Sequence, residues 1–122
     1  MQRRTKKFAV DVWNLCSKLP HSREFNGYVN QLIRSSSSVG ANYRAATRAK
    51  STADFVNKLK IVEEEADESQ YFLELILEVQ KDPALVGEIE RLRKDADEFV
   101  AIVVSSIKSL KFSWLLFHNR MS

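Results

Sequence analysis

The segment RSSSSVGANYRAATRAKS, residues 34–51, reads in two ways. Four serines and a glycine compose like a flexible linker, which would split the chain into two pieces. Arg34, Arg44 and Arg48, however, recur at intervals that fall on one side of a helix. The apolar residues decide between the two. Phe25, Val29, Leu32, Ser36, Val39, Tyr43 and Ala46 alternate steps of four and three straight through SSSSVGA. A linker has no reason to hold helical phase over that distance, so the segment is predicted to be helical. It is so against the weak helix preference of Ser and Gly, roughly 0.5–1 kcal/mol per residue below Ala. Small side chains there suit a neighbouring helix that approaches closely, and Gly40 is the position where a bend could fall.

The same spacing recurs three more times. Phe8, Val12, Leu15 and Leu19 follow it, as do Phe55, Leu59, Val62, Ala66, Ser69, Leu73 and Ile76. The last series is Leu85, Ile89, Leu92, Ala96, Phe99, Val103, Ser106 and Leu110. Four amphipathic segments with one seam each predict an all-α protein, a four-helix bundle. Pro20 closes the first helix and PHSRE turns the chain. KSTAD carries a capping-box pattern with Ser51 at the N-cap and Asp54 three residues on. KDPAL puts Asp82 at an N-cap and Pro83 at the first helical position, where a missing N–H costs nothing. Connections this short favour antiparallel, up-down-up-down neighbours. The second, third and fourth helices are each predicted to run about 25–28 residues, or about 40 Å. Residues 1–111 thus form one domain. For the tail 112–122, FSWLLFHNRMS, three readings stay open: an extension of the fourth helix, a segment docked on a neighbour, or disorder.

Composition agrees with a single soluble bundle. The 122 residues are 44% hydrophobic, enough for a core, and 3 Gly with 2 Pro are too few for the turns of an all-β fold. Cys16 is the only cysteine, which excludes an internal disulfide, and it lies on an apolar stripe as a buried thiol. MQRRTKKFAVDVW has no apolar signal core, and WLLF is far short of the ~20 residues of a membrane span, so a soluble, cytoplasmic protein with no membrane association is expected. The net charge of +3 conceals a division. Through Lys60 there are 12 Lys/Arg against 3 Asp/Glu, and from Ile61 onward 7 against 13. This asymmetry predicts a basic surface provided folding does not interleave the halves.

Catalytic signatures are sparse. A di-metal carboxylate bundle needs Glu-x-x-His pairs, and neither His21 nor His118 has a Glu three residues before it. Neither has an Arg at the spacing of the helical-ribonuclease motif, Arg-x(4–6)-His. The run EEEADE, Glu63 to Glu68, distributes its carboxylates around a helix and reads as a solvated face. There is no zinc spacing and no phosphate-binding glycine loop. The expectation is a non-enzyme with neither metal nor cofactor.

The basic surface is the remaining candidate. On a helical wheel Arg34, Arg44 and Arg48 span about 80°, nearly opposite the seam of their helix. Lys50 follows at the helix end and Lys58 on the next helix, while Arg3, Arg4, Lys6 and Lys7 crowd the N-terminus. Together these nine are the candidate phosphate contacts, which need cations but no base-specific geometry. Ile61, Phe72, Leu75 and Val79 form a second apolar stripe on the third helix, wider than one small bundle requires, and are the candidate oligomer interface.

With DVWNLC, the run from Gln31 to Ser69 and YFLELI, the chain resembles the bacterial four-helix bundle protein family, also called 23S rRNA intervening-sequence proteins. The family run Gln-Leu … Ser-x-x-Ala-Asn is matched by Gln31, Leu32, Ser38, Ala41 and Asn42. Many members carry Pro where Gly40 stands and Ala-Glu-Gly where Arg44, Ala45 and Ala46 stand; both departures are local, and the second raises the positive charge. The resemblance implies a homopentamer, a barrel of five bundles, and no catalytic residue. It also implies kinship with the accessory protein of diversity-generating retroelements, a basic pentamer that binds a reverse transcriptase and nucleic acid. RNA or DNA, or a nucleic-acid enzyme such as a reverse transcriptase, is therefore the expected partner. The rival reading is a scaffold that contacts protein alone, its arginines serving solubility.

Overall fold

A computed structural model describes the backbone of residues 1–121 and the side chains of residues 1–111. It contains four α-helices: α1 (Gln2–Cys16), α2 (Arg23–Thr47), α3 (Thr52–Val79) and α4 (Val86–Met121), the last entered through a 3-10 turn at Pro83–Leu85. No strand occurs among the described residues. α2 runs unbroken through Ser35–Gly40. α4 is longer than its apolar series suggested, 36 residues, because its backbone stays helical through the tail to Met121.

The starts of α2, α3 and the turn into α4 each have a local chemical cause, whereas α1 begins at Met1 without a side-chain cap. Ser22, within the PHSRE turn, caps α2: its hydroxyl accepts the Phe25 N–H at 3.1 Å. Ser51 does the same for Asp54 at 3.1 Å, and Asp82 Oδ1 accepts the Ala84 N–H at 3.0 Å. Such caps satisfy N–H groups that have no partner inside the helix. α1 stops at Cys16, ahead of Pro20, and tightens through i→i−3 bonds from Lys18 to Leu15 (2.9 Å) and Leu19 to Cys16 (3.2 Å). That turn keeps Leu19 in the core.

Contacts between helices give an antiparallel register. Thr5 of α1 lies at Gly40 of α2, Gln2 at Thr47, Tyr28 of α2 at Phe72 of α3, and Arg4 of α1 at Glu98 of α4. The core is the seam read from the sequence. Phe8, Val12, Leu15, Leu32, Val39, Leu59, Val62, Leu73, Ile76, Ile89, Leu92 and Phe99 are fully buried. Phe8 and Phe99 meet edge to face at 5.4 Å, which adds about 1 kcal/mol to their burial. Phe25, Val29, Tyr43 and Phe55 are half-buried. Near the end of α4 the seam slips: Ile107 is buried in place of Ser106, whose hydroxyl donates to the Ile102 carbonyl at 2.9 Å. A helix of 3.6 residues per turn drifts about 20° per heptad against a 3.5 repeat, and a step of four recovers the drift.

The serines have structural tasks. Ser35, Ser36 and Ser69 are fully buried. Ser69 Oγ donates to Ser35 Oγ at 2.9 Å, and Ser35 donates to the Leu32 carbonyl at 3.3 Å, so α2 and α3 share a satisfied polar contact in a dry seam. Gly40 is a point of close approach. A Cβ there would stand 3.3 Å from Thr5 Oγ1, so a side chain at this position would make Thr5 give way by a few tenths of an ångström.

The second apolar stripe is divided. Phe72 packs on the core and on Tyr28 with ring centroids 6.1 Å apart. Ile61 and Leu75 are half-buried, while Val79 and Tyr71 are exposed, as are Val86 and Ile102 on α4. Among the described residues no helix is long and apolar enough to cross a membrane. His118 lies outside the described side chains.

Candidate nucleic-acid interface

Folding does interleave the two charge halves, but incompletely. α1, α2 and the first turns of α3 come from the basic half; the rest of α3 and all of α4 come from the acidic half. The seams between α1 and α4 and between α2 and α3 therefore set basic helices against acidic ones, and there the charges pair. Arg4 Nη2 lies 2.7 Å from Glu98 and 3.7 Å from Asp95, with its guanidinium 4.9 Å from the centre of the Phe99 ring. Arg91 lies 3.4 Å from Asp11, and Lys18 lies 3.0 Å from Glu88. Across the other mixed seam Arg34 bridges Glu65 at 3.2 Å and also bonds Glu68. The bond to Glu68, outweighing the small cost of burial and helped by Glu65, raises the Arg34 pKa further above its already high ordinary value.

The seam between α1 and α2 is different because both of its walls are basic. A groove of about 500 Å³ runs there, lined by Gln2, Arg3, Thr5, Lys6 and Ala9 of α1 and by Ser37, Gly40, Ala41, Arg44 and Arg48 of α2 and its C-cap. Four cations line it and no carboxylate does. Among the described residues Arg3, Lys6, Arg44 and Arg48 enter no ion pair, and all four are exposed. The floor is made of small residues, which leaves the groove open above the Thr5–Gly40 contact. Gln2 Nε2 donates to Thr47 Oγ1 at 3.2 Å and ties the helices together at one end.

The nine cations named from the sequence thus fall into three sets. Arg3, Lys6, Arg44 and Arg48 come together in the groove. Arg34 and Arg4 are held by carboxylates across the mixed seams, and Lys7 bonds Asp11 one turn along its own helix at 2.6 Å. Lys50 and Lys58 stand outside the groove. The three arginines that share one face of α2 on a helical wheel are therefore split, Arg34 leaning to α3 while Arg44 and Arg48 lean to α1. Sequence reasoning did not single out the polar lining of Gln2, Thr5 and Ser37. The available signal was the adjacency of two basic helices in chain order.

The sequence model of the 23S rRNA-intervening sequence protein family matches residues 1–105. The chain belongs to that family. A crystal structure of a protein of unknown function from the S23 ribosomal protein family of Bacteroides thetaiotaomicron VPI-5482 superposes with a TM-score of 0.77 at 34% identity, covering 88% of this chain and 97% of that one. No curated protein matches. The residues of the 23S rRNA-intervening sequence protein run are mainly structural in this member. Leu32 is fully buried, Asn42 Nδ2 donates to the Ser38 carbonyl at 2.9 Å, and Gln31 Oε1 accepts from Arg34 Nε at 3.3 Å. Ala41 alone of them lines the groove.

Proposed function

We propose that this 23S rRNA-intervening sequence protein is a non-catalytic homopentameric bundle that binds RNA or DNA through the α1–α2 groove. One observation carries the reading: four exposed cations converge where no carboxylate opposes them. A polyanion gains there by releasing counterions, with no need for base-specific geometry. Five copies around an axis would repeat the groove and multiply avidity. The apolar side chains left exposed on α3 and α4 support self-association, and the resemblance to retroelement accessory proteins makes a reverse transcriptase the protein partner of this proposal.

Binding of a mixed-sequence RNA, followed by fluorescence anisotropy across a salt series, tests this. Each cation that neutralises a phosphate of a single strand contributes about −0.7 to the log–log slope. An Arg44→Ala/Arg48→Ala protein is expected to lose about 1.4 of that slope, whereas Arg34→Ala leaves it unchanged because Glu65 and Glu68 already neutralise Arg34. Equal slopes for wild type and the double variant would refute the groove assignment. Light scattering gives the subunit count, with about 70 kDa expected for five 14.1-kDa chains.

A further inference from the structure

Trp13 is the most exposed large apolar side chain of the described residues, at 63%. No intramolecular task explains it: it belongs to no seam, and its ring has no aromatic or cationic neighbour among the described residues. Its position on α1 is informative. Lys6 and Ala9 line the groove, and Trp13 follows them by seven and four residues, on the same face of the helix. Trp13 therefore stands one turn past Ala9 on the face of α1 that borders the groove, just outside the residues that line it. From Arg3 to Trp13 the helix rises about 15 Å.

We infer that Trp13 is a stacking platform for an unpaired base and that the ligand of the groove is single-stranded nucleic acid. This rests on the proposed function and narrows it. The chemistry is that of non-specific single-strand readers: a cationic track for the backbone with an exposed aromatic face beside it, on which any base can stack. A duplex keeps its bases stacked on one another and offers Trp13 nothing, so a cation groove alone would treat the two forms by charge density only. Arg3, Lys6, Arg44 and Arg48 hold phosphates, and Trp13 receives a base at the end of that track.

The chain has 2 Trp, so Trp114→Phe leaves Trp13 as the sole indole reporter in the full-length protein. A single-stranded 20-mer RNA of mixed sequence and the blunt duplex made from it are titrated into this protein at low salt. The expected result is tighter binding of the single strand, with quenching of Trp13 fluorescence that the duplex does not produce. Trp13→Ala and Trp13→Leu are expected to weaken single-strand binding about 5- to 100-fold, while Trp13→Phe keeps most of the affinity. Single-strand binding that leaves Trp13 emission unchanged, or that Trp13→Ala does not weaken, overturns the inference while the nucleic-acid reading stands. Loss of the oligomer in Trp13→Ala, with affinity per chain unaltered, overturns it too, by making Trp13 a contact between copies. Absence of binding to both RNAs at low salt overturns the proposed function and this inference with it.

Discussion

Replacing Gly40 with alanine sets two known effects against each other. In an open helix position Gly→Ala gains about 0.8–1.0 kcal/mol of intrinsic preference. At Gly40 the new Cβ would lie 3.3 Å from Thr5 Oγ1, closer than a comfortable contact. Thr5 is only 1% exposed, and its hydroxyl donates to the Gln2 carbonyl at 3.1 Å, so it cannot swing aside without losing that bond, worth about 1 kcal/mol. Forcing a methyl into a packed contact costs about 1–3 kcal/mol. The sum is a change between about zero and 2 kcal/mol of destabilisation, where an unopposed site would be stabilised. Thr5→Ala removes the atom that the new Cβ meets first, and the remaining neighbours at 3.5 Å are in ordinary contact. In that background Gly40→Ala is expected to stabilise by about 0.5–1 kcal/mol, so the coupling in a double-mutant cycle is about 1–2 kcal/mol. Urea unfolding followed by helical circular dichroism at one fixed chain concentration measures all four proteins, fixed because an oligomer's stability depends on it. If Gly40→Ala stabilises both backgrounds equally, within about 0.3 kcal/mol, the close approach of α1 to α2 is not what holds glycine at this position.

Two further outcomes are expected. Burial pushes the Cys16 thiol up to about 11, so at pH 8 its thiolate fraction falls about 100-fold below that of a free cysteine; a disulfide reagent should label it at the unfolding rate, and rapid labelling of native protein would contradict its burial. Burial acts to raise the Asp11 carboxyl, but the bond and charge of Lys7 together with Arg91 outweigh it and hold the pKa below the usual carboxylate range. Because the folded value is the lower one, the contribution to stability is complete above the unfolded pKa near 4 and disappears as pH falls through the folded value. Asp11→Asn should therefore be less stable by up to about 1 kcal/mol at pH 7, with the gap narrowing as pH falls below about 4, and a gap that does not narrow with acidification would exclude the ion pairs as its source.

What the chain determined alone was the set of helices and the face each one buries. That information is local. A 3–4 spacing places Phe8 and Val12, or Leu59 and Val62, on one side of a helix whatever surrounds it, and Ser51 and Asp82 cap the residues directly after them. The helical reading of SSSSVGA follows from phase alone, and family membership could be read from the Gln31–Asn42 run.

The site was decided by tertiary structure. Whether an arginine is available to a phosphate depends on the carboxylate across the seam, and that residue lies far away in sequence: Glu65 and Glu68 for Arg34, Glu98 for Arg4. A helical wheel places Arg34 with Arg44 and Arg48, yet only the packing of α2 between α1 and α3 separates them. Coulomb attraction sorts cations by distance in space, so the groove exists because two basic helices became neighbours with no acidic helix between them.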